Sequence, residues 1–271
     1  MQTSQVLPDA FYEPEGAATY RATPATMSPW DPRLQHGGPP CALAVHALED
    51  AFPRPDMRIA RLVVDFLGPI PLDVLTVQVD IVRSGKRIEL ARAVLASGGR
   101  AVVTAQAWRI AVREPIDVPQ AVLRRQDAEV PPPLPAAQPD ASFAGFDDWP
   151  YGRAIEWRFI SGGFRDVGPA EVWTRPRLPL VTGMPLRAIE RVALVADSAN
   201  GLSREFDFER YVFVPPSIVI TLDRYPAADW TYMHATTHLA PDGIGFTTCA
   251  LGDENGRFGI ATQALLVEPR G

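Results

Sequence analysis

Val103-Thr104-Ala105-Gln106-Ala107-Trp108 lies over Ile260-Ala261-Thr262-Gln263-Ala264-Leu265 at a constant offset (263 − 106 = 157), with the Gln-Ala pair shared. The two stretches end two segments of similar order, and an internal repeat of this size decides the architecture before any single motif does. Upstream of the first copy, Cys41-Ala-Leu-Ala-Val-His-Ala-Leu-Glu-Asp50 is an apolar, alanine-rich helix opened by Gly37-Gly38-Pro39-Pro40, so a helix is expected at about 39–50. Strand-like runs follow at 59–67, 72–82, 87–96 and 101–110. In the second run Leu75, Val77, Val79 and Ile81 alternate with Thr76, Gln78 and Asp80, as a half-buried strand requires. Upstream of the second copy a helix is expected at 185–200, then strands at 211–222, 229–239, 244–251 and 259–267. Ser97-Gly98-Gly99-Arg100, Pro241-Asp242-Gly243 and Asp253-Glu254-Asn255-Gly256 read as hairpin turns. One helix followed by four strands on short turns gives an antiparallel sheet packed around that helix, here twice in tandem.

Between the repeats, residues 113–148 carry Val130-Pro131-Pro132-Pro133-Leu134-Pro135 and Pro139 without periodicity. Such a stretch favours extended polyproline conformation and builds no core. The expected division is therefore 1–112, a proline-rich linker at 113–148, and 149–271, with the linker running over the surface.

The 271 residues are 46% hydrophobic and 21% charged, a globular mix, with a formal net charge of −6. That charge gives no general attraction to nucleic acid or anionic lipid, so neither is expected as a partner. No apolar run approaches the roughly 20 residues of a membrane helix. The first fifteen residues show no basic patch followed by an apolar segment, so the chain reads as soluble and cytoplasmic. Cys41 and Cys249 make no disulfide framework. Lys86 is the only lysine among 26 basic residues, which is read as genome composition rather than function.

Nucleophile-elbow, phosphate-loop, dinucleotide-binding and His-Glu-x-x-His motifs are absent, so a hydrolase built on this chain would use water as nucleophile. His234 and His238 fall on one face of an expected strand, roughly 13 Å apart, which is no metal spacing; neither a metal nor a cofactor is implied. Asp31 and His36 reproduce an Asp-x4-His separation found in hotdog enoyl hydratases, without the surrounding motif. His36-Gly37-Gly38 at a helix start can offer free amides to a thioester oxygen or phosphate, or can be a tight turn only. Asp197 follows three apolar residues late in a central helix, at the unfavourable end of its dipole, where a buried carboxylate is costly unless hydrogen-bonded or catalytic.

Taken together, Trp30…His36-Gly37-Gly38, Phe66-Leu67-Gly68-Pro69-Ile70, Val195-Ala196-Asp197-Ser198-Ala199-Asn200-Gly201 and the C-terminal run from Asp229-Trp230 to Gln263-Ala264-Leu265-Leu266-Val267 resemble the acyl-CoA thioesterase II-like family over almost the whole length. The resemblance implies an α+β double hotdog and hydrolysis of an acyl-CoA thioester to free acid and CoA. It also implies a water ordered by an aspartate, a glutamine and a hydroxyl residue. Asp197 and Gln263 match the first two; Pro215 stands where the family has threonine, which leaves Ser217 or Thr221 as substitutes. His36, Gly37, Gly38 and Thr221 are the expected substrate-binding residues, and the amides around 185–187 the expected oxyanion site. Asp197 and Gln263 are expected within one water's reach of each other, and the first half, with Gln106 alone, is expected to be catalytically silent. Two other readings stay open: a non-catalytic acyl-CoA-binding hotdog protein, and an enoyl-thioester hydratase or dehydratase centred on Asp31 and His36. Hotdog sheets pair edge to edge or back to back, so a dimer of double hotdogs is a further expectation.

Overall fold

The computed structural model describes residues 6–122, 130–140 and 149–270. Its strands are β1 (Tyr12–Gly16), β2 (Thr19–Ala22), β3 (Met57–Phe66), β4 (Val74–Arg83), β5 (Ile88–Ser97), β6 (Arg100–Ala111), β7 (Ile155–Ser161), β8 (Ala170–Pro176), β9 (Tyr211–Leu222), β10 (Thr231–Leu239), β11 (Ile244–Asp253) and β12 (Gly256–Pro269). The helices are α1 (Gly38–Ala51), α2 (Pro150–Ala154), α3 (Ala188–Ala196) and α4 (Ala199–Leu202), with a 3-10 turn at Pro24–Thr26. All twelve strands form one antiparallel sheet in the order β1-β2-β4-β5-β6-β3-β9-β12-β11-β10-β8-β7. The order is a palindrome of two six-stranded halves joined where β3 pairs with β9, and α1 and α3 bury themselves against one face. Each half is a hotdog unit, and the chain is a double hotdog.

The four strands expected after each helix are present within a few residues. Each half has in addition a hairpin before its helix, β1–β2 and β7–β8, at the outer edge of the sheet. The Ser97–Arg100 turn owes its tightness to Gly98 and Gly99, whose φ of 56° and 78° lie in the left-handed region. The second helix is shorter than 185–200: α3 starts at Ala188, and Arg187 is its N-cap with φ −75° and ψ 156°. Among the described residues no helix is long and apolar enough to cross a membrane.

Of the expected linker, 123–129 and 141–148 lie outside the described residues. Residues 130–140 hold no strand or helix, but the surface run is anchored along the β7–β8 edge. Trp173 Nε1 donates to Pro132 O (3.0 Å) and Arg158 to Pro135 O (2.9 Å). The Gln138 amide donates to Phe159 O (2.8 Å) and accepts from Phe159 N (2.9 Å), covering backbone groups that an edge strand would otherwise expose.

The pairing of Val63 with Val219 marks the pseudo-twofold between the halves, so a strand residue maps onto its counterpart by an offset of 219 − 63 = 156. This is one residue less than the offset of the sequence match. Gln106 pairs with Val63 and is superposed on Thr262, which pairs with Val219; Gln263, paired with Ile218, is superposed on Ala107. A one-residue slip exchanges the faces of a strand. Gln106 accordingly points outward and is exposed, whereas Gln263 is 1% exposed on the helix-bearing face. The sequence match located the repeat and misplaced its glutamine.

Candidate active site

Asp197 caps the C-terminus of α3 and is buried. The dipole of its own helix disfavours a charge there, and the other helix compensates. α1 and α3 lie antiparallel, so the N-terminus of α1 meets the C-terminus of α3. The amides of Gly37 and Gly38 favour the ionised Asp197 carboxylate. The two glycines permit that approach: a Cβ on Gly37 would lie 2.6 Å from Asp197 Oδ2, and one on Gly38 would lie 2.1 Å from Leu194 O. From the sheet, Gln263 Nε2 donates to Asp197 Oδ1 (3.1 Å) and to Asp197 O (3.1 Å), while its Oε1 accepts from Asn200 N (3.1 Å). Burial outweighs these hydrogen bonds and lifts the Asp197 carboxyl to about 7.

His36 precedes α1 and stacks on Tyr151 (4.2 Å between ring centres). Burial takes its pKa down to about 3, so the ring is neutral. Gly38 N donates to His36 Nδ1 (3.2 Å), which leaves the proton on Nε2. Tyr151 OH in turn donates to Leu194 O (2.8 Å) and meets Ser198 Oγ at 3.1 Å.

Asp197, His36, Gly37 and Asn200 line a cavity of about 730 Å³. Its walls are largely apolar: Trp30, Leu34, Phe66, Ile70, Val212, Val214, Pro215 and Leu266, with Ser28, Asn200, Glu268 and Arg270 among the polar lining. Trp30 is held by stacking on Phe208 at 4.0 Å and by Arg270 above its ring at 5.1 Å. A volume and lining of this kind suit a slender apolar ligand.

The structure brings Asp197, Gln263, His36, Gly37 and Gly38 together. Asp197 and Gln263 are in direct contact rather than a water apart. Ser217 and Thr221 do not reach the site. On β9 Ile218 and Ile220 face the helices, so their neighbours face outward: Ser217 pairs with exposed Asp65 and Ala264, and Thr221 pairs with exposed Arg61. Ser217→Ala and Thr221→Ala are expected to change turnover by no more than about twofold, as surface substitutions do. Steady-state assays of both variants check this.

The oxyanion position expected at 185–187 is also displaced. That helix start lies at the opposite end of α3 from Asp197, and Glu190 Oε2 already accepts from Arg187 N (2.8 Å). The amides beside the carboxylate are those of Gly37 and Gly38. Asp31 is not the partner of His36 in this structure; it is half-buried and chelated by Arg33, which holds its carboxyl near 2. Tyr151 and Asn200 were missed because their place in the site comes from α2 docking under the α1 start and from the turn after α3, neither of which has a local sequence signal.

A family model for the acyl-CoA thioesterase N-terminal domain matches residues 26–110, and one for the acyl-CoA thioesterase C-terminal domain matches residues 127–267. The chain belongs to the acyl-CoA thioesterase family. No curated protein matches it. Among solved structures it is similar to a candidate thioesterase from Novosphingobium aromaticivorans (23% identity, 94% of this chain and 98% of that one, TM-score 0.70). It is similar also to a hot dog fold protein of unknown function from Alicyclobacillus acidocaldarius (16%, 97% and 98%, 0.72) and to an acyl-CoA thioesterase II from Mycobacterium marinum (16%, 96% and 95%, 0.62). At these identities the likeness is one of fold.

In this thioesterase-family chain the pseudo-twofold generates a second, smaller cleft of about 230 Å³, in which Leu222 stands for Phe66, Arg224 for Gly68 and Ile110 for Leu266. No helix residue lines it. Tyr225 OH accepts from Ile59 N (2.7 Å), and buried Arg109 donates to Leu48 O and to Phe52 O (2.6 Å), covering the C-terminal end of α1. At the counterpart helix junction Glu190 meets His46 Nδ1 at 2.8 Å, and Ala107 occupies the position of Gln263.

Proposed function

We propose that the protein hydrolyses acyl-CoA thioesters to free acid and CoA, with Asp197 as general base. The supporting observation is a buried carboxylate near neutrality, fixed by Gln263, in the lining of a largely apolar cavity. A base with a pKa close to the working pH is effective in taking a proton from water during attack. The water oxygen bonds to the thioester carbon, its proton passes to Asp197, and the oxyanion faces donors at the α1 start. Collapse breaks the C–S bond, and the proton held by Asp197 goes to the departing CoA sulfur. The Gln263 amide is saturated by Asp197 and Asn200, so it positions the base rather than the water. Three dispersed apolar walls, from the β3 end, β9 and β12, hold the acyl chain.

Thiol release across a panel of acyl-CoA esters tests the reading. Release of free thiol with first-order dependence on enzyme is expected. Calorimetric binding without release would indicate a binding protein, and loss of enoyl absorbance without thiol would indicate a hydratase.

The pH dependence follows from the same carboxylate. Only ionised Asp197 accepts a proton, so kcat/KM is expected to rise about tenfold per pH unit below neutrality and to level off above about 7. A profile that stays flat from pH 5 to 8 would exclude Asp197 as the base.

A further inference from the structure

We propose that His36 is a positioning residue that sets the protonation of Asp197, through a hydrogen bond from the protonated carboxyl to His36 Nδ1. This deepens the hydrolase reading but stands on geometry that can be tested without substrate.

His36 Nδ1 lies 3.5 Å from Asp197 Oδ2; the Asp197 side chain is buried and that of His36 is 11% exposed. The contact looks like an ion pair only if the imidazole carries a second proton. The site opposes that, because the Gly38 amide already points a hydrogen at Nδ1 and the ring is sandwiched among aromatic groups, with Tyr151 at 4.2 Å and Trp149 at 5.9 Å. A neutral ring presents its Nδ1 lone pair toward Oδ2. Facing an ionised carboxylate, that lone pair adds repulsion; facing a protonated one, it accepts the acid proton.

Gly38 N–H is shared between the two states. With the carboxylate ionised it is bifurcated between His36 Nδ1 and Asp197; when the carboxyl is protonated, its O–H takes the single Nδ1 lone pair and the Gly38 N–H is left to the carboxyl oxygen. The pair therefore holds one proton near neutrality, on Asp197. Among the described residues the other titratable groups facing Asp197 are Cys41 from α1 and Tyr151 from α2, both pushed upward by burial and neutral in this range; its hydrogen-bond partner from the sheet is the neutral Gln263. His36 is thus the residue of this neighbourhood whose removal should shift the acid limb.

The test reads Asp197 directly, in ligand-free protein labelled at aspartate Cγ with carbon-13, with the Asp197→Asn variant for assignment and nitrogen-15 imidazole shifts for His36. In the parent, Asp197 is expected to titrate near neutrality. His36 should show the Nε2-protonated tautomer, with its Nδ1 shift moving at the same midpoint. His36→Phe retains the ring on Tyr151 and removes the acceptor, and is expected to lower the Asp197 midpoint by about one pH unit. His36→Gln, which restores an acceptor, should recover part of the shift. An Asp197 midpoint unchanged in His36→Phe would overturn the proposal, as would a His36 ring that protonates independently near its ordinary value of about 6.5. If His36→Phe fails to fold, the tautomer and the shared midpoint in the parent decide the question. Failure of hydrolysis in the thiol assay would leave these titrations readable, so the two ideas fail separately.

Discussion

Asp197→Asn is expected to lower thiol release by about 10²–10⁴-fold while leaving the fold intact. The variant keeps the volume of the side chain and removes its basicity. It also creates a mismatch: Gln263 is oriented by Asn200 N on its Oε1 and offers only Nε2 to residue 197, while the Gly37 and Gly38 amides offer further donors on the other side. An asparagine has one oxygen for these donors, so one contact becomes donor against donor. The substitution also has a stability signature with a definite sign. The folded carboxyl titrates near 7 against 3.8 unfolded, so its contribution to stability is complete below about pH 4 and is lost as the pH rises through about 7. The stability difference between variant and parent should therefore move in favour of the variant by on the order of 4 kcal/mol from pH 4 to pH 8, from roughly three pH units at about 1.4 kcal/mol each. Urea unfolding of both proteins across that range measures it. A difference that does not vary with pH would mean that Asp197 is ionised throughout.

Gly38→Ala should have the largest effect on folding. Its Cβ would fall 2.1 Å from Leu194 O and 3.2 Å from Tyr151 OH. The first obstacle is helix backbone, so relief requires α1 and α3 to separate, and the Tyr151–Leu194 hydrogen bond goes with them. Overpacking against backbone of this kind costs about 3 kcal/mol or more, which for a chain of this size lowers Tm by roughly 6–12 °C. Gly37→Ala makes the informative contrast. Its Cβ would meet Asp197 Oδ2 at 2.6 Å and Phe66 Cζ at 2.8 Å, both at the ends of side chains that can swing aside. It should cost under about 2 kcal/mol yet reduce turnover by at least about tenfold, because the group displaced is the proposed base. Thermal melts beside kinetics separate the two cases; equal melting losses for both variants would refute the backbone argument.

The double repeat was legible because alternation and turn residues are local: Leu75 to Ile81 on one face, and Gly98-Gly99 in a left-handed turn. The edge hairpins were not. β1 reads Tyr-Glu-Pro-Glu-Gly and buries only Tyr12, so it has no periodic apolar signal. Asp197 could be singled out from its apolar helix alone, since a carboxylate after Leu194-Val195-Ala196 needs a reason. Its partners could not, because Gly37, Gly38 and His36 reach it through the antiparallel contact of two helices about 150 residues apart. Gln106 misled because identical residues aligned in sequence while the strands aligned one position away. Ser217 and Thr221 failed on the same parity: the hydroxyls were chosen by proximity in sequence to Pro215, and β9 turns both toward the outer face.

The helix junction at Asp197 draws its parts from both repeats: the carboxylate and glutamine from the second, the glycine amides and histidine from the first. Neither half carries a complete set, so the two are complementary subunits of a heterodimer that share one chain. Fusion enforces their one-to-one stoichiometry and their orientation, which two freely associating copies would have to find by chance. At the opposite junction Arg109 covers the end of α1, Glu190 meets His46, and the cleft shrinks to about 230 Å³ with no helix residue in its lining. Saturation with a slowly hydrolysed acyl-CoA analogue should accordingly stop at one equivalent per chain.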